Sequence, residues 1–82
     1  MSSPASVPLQ VLALVEKMGP CGIGKLSRAA GLEVRRVERI VVRQVDVYGY
    51  VEADRIRRQV RGPITITEKG RQRLREQNKA GA

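Results

Sequence analysis

The chain has 82 residues, sixteen of them Lys or Arg against eight Asp or Glu, giving a net charge of +8 and an isoelectric point near 10.8. That length makes one small domain, near the lower limit for a core that holds without disulfides or metal. One cysteine (Cys21) and no histidine exclude an intramolecular disulfide and leave too few ligands for a tetrahedral zinc site. No apolar run approaches a membrane span, and Met1 to Ala5 carry no basic-then-apolar signal pattern, so a cytoplasmic protein is expected.

In chain order, residues 1–5 read as a flexible tail of small residues and 6–78 as the folded domain, with 79–82 a frayed end. Ser6 is placed to cap a first helix, with Pro8 tolerated in its opening turn. Leu9, Leu12, Val15 and Met18 mark its buried side, broadened by Val11 and Leu14, and Gly19-Pro20 ends it. Cys21 to Ile23 is too short for an independent strand but long enough to add one or two ladder bonds to a hairpin. A second helix is expected from Gly24 to Ala30, with Leu26, Ala29 and Ala30 inward and Lys25, Ser27 and Arg28 outward. Gly31 can take the left-handed conformation that closes this helix and turns the chain.

The third helix, Glu33 to Tyr48, carries the most informative pattern. At about 100° per residue, Val34, Val37, Val41, Val45 and Tyr48 share one face. Arg35, Arg36, Arg39 and Arg43 share the opposite one. Arg35, Arg39 and Arg43 are successive i,i+4 neighbours, and like charges at that spacing repel. Folding alone gains nothing from this, whereas an anion laid against the face would, and a helix fits the major groove of DNA. The ordinary alternative is a solvated face with Arg35–Glu38 and Arg43–Asp46 pairs, which leaves Arg36 and Arg39 without an acid.

After Gly49, a weak alternation through Val51 and Ala53 and a clear one in Ile64-Thr65-Ile66 predict two strands of a hairpin. Its tip falls between Arg57 and Gly62. Residues 55–61 hold Arg55, Arg57, Arg58 and Arg61 and no acid. Twelve of the sixteen basic residues are Arg, whose planar fork matches phosphate and guanine edges. Arginine richness also suits a hot habitat or a biased genome, but the excess charge is local, +4 over residues 55–61 and +3 over 62–82 against +1 over 33–48, so it sits mainly in the hairpin and the last helix, which argues against composition alone. Thr67 can cap a last helix from Glu68 to Asn78, whose one large apolar residue is Leu74. Cys21 reads as a small buried filler, and at least one of Tyr48 and Tyr50 as core. So few aromatics speak against single-strand recognition. No Ser/His/Asp or Cys/His set, phosphate-cradling Gly loop or carboxylate cluster supports catalysis, and no cofactor or small-molecule ligand is suggested.

This order of elements resembles a winged helix-turn-helix domain, an α+β fold with a three-helix core, a two- to three-stranded β-hairpin wing and a C-terminal helix. Gly24-Lys25-Leu26-Ser27-Arg28-Ala29-Ala30-Gly31-Leu32 is similar to the second helix and turn of many bacterial and archaeal regulators. Tyr48-Gly49-Tyr50-Val51 resembles their exit into the wing, and Ile64-Thr65-Ile66-Thr67-Glu68-Lys69-Gly70-Arg71 the strand-to-helix step of MarR- and PadR-like groups. The matches cover residues 7–78. The chain departs from MarR-type repressors in its arginine-rich wing and in lacking their long apolar dimerisation helices.

The resemblance implies a nucleoid-associated partner of double-stranded DNA, either a small transcription regulator or a chromosomal protein. Helix 3 would enter the major groove, with Arg35, Arg36 and Arg39 near bases and Arg43 near backbone. Arg55, Arg57, Arg58 and Arg61 would meet phosphates or the minor groove, and Lys25, Ser27 and Arg28 would brace the backbone. Family habit adds a homodimer through the first and last helices. Two other functions fit the same fold: a protein-interaction module in a larger assembly and a duplex RNA binder.

Overall fold

The computed structural model describes the backbone of residues 6–81 and the side chains of 6–77. The expected tail at Met1–Ala5 lies outside the described residues. Helix α1 spans Val7–Met18, α2 Ile23–Ala30 and α3 Val34–Arg43, which continues into a π-helical turn at Gln44–Tyr48. Four two-residue strands follow: β1 Val51–Glu52, β2 Arg55–Ile56, β3 Gln59–Val60 and β4 Thr65–Ile66. Helix α4, Glu68–Gly81, ends the chain, and its backbone is helical beyond Asn78 through most of the expected frayed end.

The helices stop where their glycines allow. Gly19 (φ 74°) accepts the turn out of α1, and Gly31 (φ 69°, ψ 30°) caps α2 in the left-handed region. The α2–α3 turn is closed by Leu32 N–H donating to Ser27 O at 3.2 Å and Val37 N–H to Glu33 O at 3.1 Å. Three aliphatic surfaces then converge. Val11, Leu12 and Val15 of α1, Leu26 of α2, and Val37 and Val41 of α3 are buried, with Cys21, Val51, Val60 and Ile64 sealing the sheet side. No aromatic ring is fully buried. Tyr50 is half-buried against the core, while Tyr48 is exposed and stacks on it at 5.1 Å between centroids.

The expected apolar face of helix 3 holds at Val37 and Val41 and fails at both ends. Val34 and Tyr48 are each 43% exposed. The cause at the C-terminal end is the π turn, whose i→i+5 bonding delays the phase of every residue after Arg43. Gln44 turns inward instead, and its Nε2 donates to the Pro8 carbonyl at 2.8 Å, tying the turn to α1. Gly49 (φ 69°) ends the turn, and Tyr50 N–H donates to Gln44 O at 2.8 Å.

The sheet is a two-tier hairpin. Strands β1 and β4 pair antiparallel (Val51↔Ile66, Glu52↔Thr65), and Cys21 adds a bridge to Ile64 through bonds of 3.3 and 2.8 Å, the one or two ladder bonds expected from Cys21–Ile23. Above it β2 pairs with β3 (Arg55↔Val60, Ile56↔Gln59), so the tip is the Arg57–Arg58 turn. Thr67 caps α4 by accepting from Gly70 N–H at 3.1 Å, and it donates to Gly49 O at 2.6 Å. Gly70 is buried because α4 crosses so close to the chain at Tyr50 that a Cβ would run into the Tyr50 carbonyl and come within 2.8 Å of Ile66 Cγ1. The described residues form an α+β domain of four helices and a hairpin sheet. Among the described residues no helix is long and apolar enough to cross a membrane.

Candidate nucleic-acid interface

The outer face of α3 carries Arg35, Arg36, Arg39 and Arg43, all exposed. None has an acid within ion-pair distance among the described residues. The i,i+3 pairs that would have neutralised half of them do not form. Glu38 turns to the hairpin, where its carboxylate accepts Val60 N–H at 3.0 Å. Asp46 pairs with Arg55 of β2. Both acids therefore hold the hairpin to the helix and leave the arginine face uncompensated.

Beside this face runs an open cleft of about 1030 Å³. The four α3 arginines, Arg58 and Gln59 of the hairpin and Arg73 of α4 line it, and Glu38 is the one acid among its described lining residues. The apolar part of its wall comes from Val7 to Leu9 of α1 and from Ile40, Tyr48 and Tyr50. Opposed guanidiniums around a concavity make a field that concentrates anions.

Two of the candidate site residues are held in internal bonds. Ser27 is 5% exposed, and its hydroxyl donates to the Leu32 carbonyl in the turn, so it is not available to a ligand. A serine at the end of a helix finds an unsatisfied carbonyl nearby, and here that local bond wins. Arg55 is not a free cation either. Its guanidinium bonds the Asp46 carboxylate and the Arg57 carbonyl, the latter at 2.6 Å, and so positions the hairpin. Ala29, expected inward, is exposed. Lys25 and Arg28 of α2 are exposed as expected, and Arg57, Arg58 and Arg61 crowd the hairpin tip, Arg61 touching Gln59 Oε1 at 3.3 Å.

Arg57 sits at φ 57°, a conformation that costs an L-residue about 1 kcal/mol and that glycine takes freely. No local sequence pattern marks Arg73, half-buried in the cleft wall, or the acids at 38 and 46 as hairpin anchors. The excess charge of the last segment hinted at the first. On α4, Arg75 and Arg71 pair with Glu68 at 2.8 and 3.7 Å, and the hydrogen bond from Arg75 leads in holding the Glu68 carboxyl below its ordinary value. Burial pushes the Cys21 thiol up, partly offset by Lys25. Among the described residues no group of three or more His, Cys, Asp or Glu gathers to hold a metal ion.

No family model matches this sequence, and no curated protein does. The fold has a solved counterpart. The crystal structure of Rv1404 from Mycobacterium tuberculosis superposes with a TM-score of 0.78 over 92% of this chain, at 18% identity. The chain spans 51% of that protein's length, and at this identity the likeness is one of fold.

Proposed function

We propose that this is a winged helix-turn-helix domain that binds double-stranded DNA, as a small transcription regulator or a chromosomal protein. Helix α3 lies in the major groove and the hairpin is the wing. The observation that carries this is the uncompensated arginine face. Four guanidiniums stand on one side of α3 while the neighbouring acids, Glu38 and Asp46, bond the hairpin instead. Three of the four are mutually repelling at i,i+4, an arrangement that a bound polyanion relieves. The helix supplies the shape that the major groove admits, and arginine the fork that phosphates and guanine edges accept. Arg57, Arg58 and Arg61 extend the same field onto the hairpin, where phosphate contacts fix orientation without reading sequence. A regulator and a chromosomal protein would use the same surface and differ in specificity ratio.

Fluorescence anisotropy with matched DNA and RNA duplexes tests this. Tighter binding to B-form DNA is expected, since the deep, narrow major groove of A-form RNA does not admit the α3 side chains. Equal or tighter binding to RNA would replace the groove reading with one of shape and phosphates. Unchanged DNA binding after all four α3 arginines are replaced by alanine, with helicity retained, would remove α3 from the interface.

A further inference from the structure

We propose that the hairpin tip is a DNA-bending wedge in which Ile56 enters the minor groove and leans on a base step, flanked by Arg57 and Arg58; this rests on the duplex-binding reading above. Ile56 is 62% exposed and is the last residue before the Arg57–Arg58 turn. The register places Arg55 opposite Val60 and Ile56 opposite Gln59. Val60 faces the core, so Ile56 and Gln59 project from the other side of the hairpin. A lone exposed aliphatic residue is ordinary on a protein surface. The mounting of this one is not.

Four bonds outside the β2–β3 ladder fix the prong. Arg55 ties it to Asp46 of the π turn and grips the Arg57 carbonyl. Glu38 holds Val60 N–H at 3.0 Å, and Arg61 N–H donates to Asp54 O at 2.7 Å. The tip therefore keeps its place relative to α3. At its summit, where glycine would be unstrained, stands Arg57 in the left-handed conformation. An aliphatic side chain beside two arginines on a rigid two-residue turn matches what a minor groove receives. Narrow A·T-rich grooves attract arginine, and apolar wedges part base steps and kink the duplex by roughly 20–90°. Pyrimidine–purine steps yield most easily, so the wedge selects sites by deformability. A TA step within an A·T tract, offset from the segment read by α3, is the expected target.

The experiment uses duplexes of about 30 bp with donor and acceptor dyes at their ends, carrying a TA step or a G·C segment at the wing position. Energy transfer reports bending and anisotropy reports affinity, for the unaltered protein, Ile56→Ala and Ile56→Leu. The unaltered protein should raise energy transfer on the TA duplex more than on the G·C duplex. Ile56→Ala should lose most of that rise while affinity falls by less than about tenfold, because the phosphate contacts remain. Ile56→Leu should restore the bend. Tight binding with no bend, or a bend that Ile56→Ala leaves intact, would overturn the wedge and leave duplex binding standing. No binding to any duplex would remove both, and would make Ile56 an anchor for a protein partner instead.

Discussion

Salt dependence is the measurement on which the interface geometry makes its firmest quantitative demand. On α3 and the hairpin tip seven arginines stand exposed and without an acid among the described residues: Arg35, Arg36, Arg39 and Arg43 on the helix, and Arg57, Arg58 and Arg61 on the hairpin. With one of the α3 arginines on a base edge, about six phosphates are neutralised, and log affinity should fall with log salt at a slope near −5. A rise from 50 to 200 mM salt then weakens binding roughly a thousandfold. Single replacements separate the roles. Arg58→Ala removes one phosphate contact and should make the slope shallower by about 0.9. Arg55→Ala should cost affinity, because the hairpin loses its tie to Asp46, with the slope nearly unchanged. Anisotropy titrations at five or six salt concentrations read both quantities. A slope shallower than about −2 would refute the polyanion reading. Equal slope changes for Arg55→Ala and Arg58→Ala would refute the assignment of Arg55 as a tether.

Arg39→Ala should reduce discrimination between duplexes, by about 1–3 kcal/mol if Arg39 meets a guanine, whereas Arg58→Ala should weaken all duplexes alike; a panel of competitor sequences decides. Gly70→Ala should lower the melting temperature on the order of 10 °C, since overpacking costs about 1–3 kcal/mol and the Tyr50 carbonyl cannot move aside as a side chain would. Helix propensity alone predicts the opposite sign, so a variant that melts higher would show that α4 does not approach Tyr50 this closely. Cys21 should react slowly with thiol reagents in the folded protein and fast in denaturant, because burial both shields it and raises its pKa, lowering the thiolate fraction at any pH below that value. Rapid labelling of the folded protein near pH 8 would contradict its place in the core.

The helix boundaries, the capping Thr67 and the two outer strands were legible in the sequence because each rests on a local rule. Gly19, Gly31 and Gly49 stop helices through their own φ angles, and Thr67 finds its partner three residues on. The arginine face of α3 was legible for the same reason, since three turns of regular helix suffice to align it. What escaped depends on partners far along the chain. Gln44 is drawn inward by a carbonyl 36 residues earlier, and the π turn moves Tyr48 out of the core face that simple periodicity assigns it. Glu38 and Asp46 sit at i,i+3 from arginines, the spacing of a surface pair worth only a few tenths of a kcal/mol. A backbone N–H 22 residues away and an arginine nine residues away take them instead.

Those two acids explain how so small a domain can hold a strongly basic surface in one shape. Left to themselves, Glu38 and Asp46 would pair with their neighbours on α3 and cancel half of its charge. A partly exposed ion pair such as Asp46–Arg55, with side chains 30% and 44% exposed, contributes only about 1 kcal/mol or less to stability. Its geometric effect is larger than its energetic one. It fixes the hairpin against the end of α3 through a side chain at each end, and the Glu38 bond to Val60 does the same about two turns earlier from the buried side. Helix and hairpin then present their cations at a set separation before any partner arrives, so binding need not order the hairpin and loses less entropy to it. The same two contacts keep both carboxylates out of ion pairs with the α3 arginines. One pair of carboxylates thereby sets both the shape of the interface and the strength of its field.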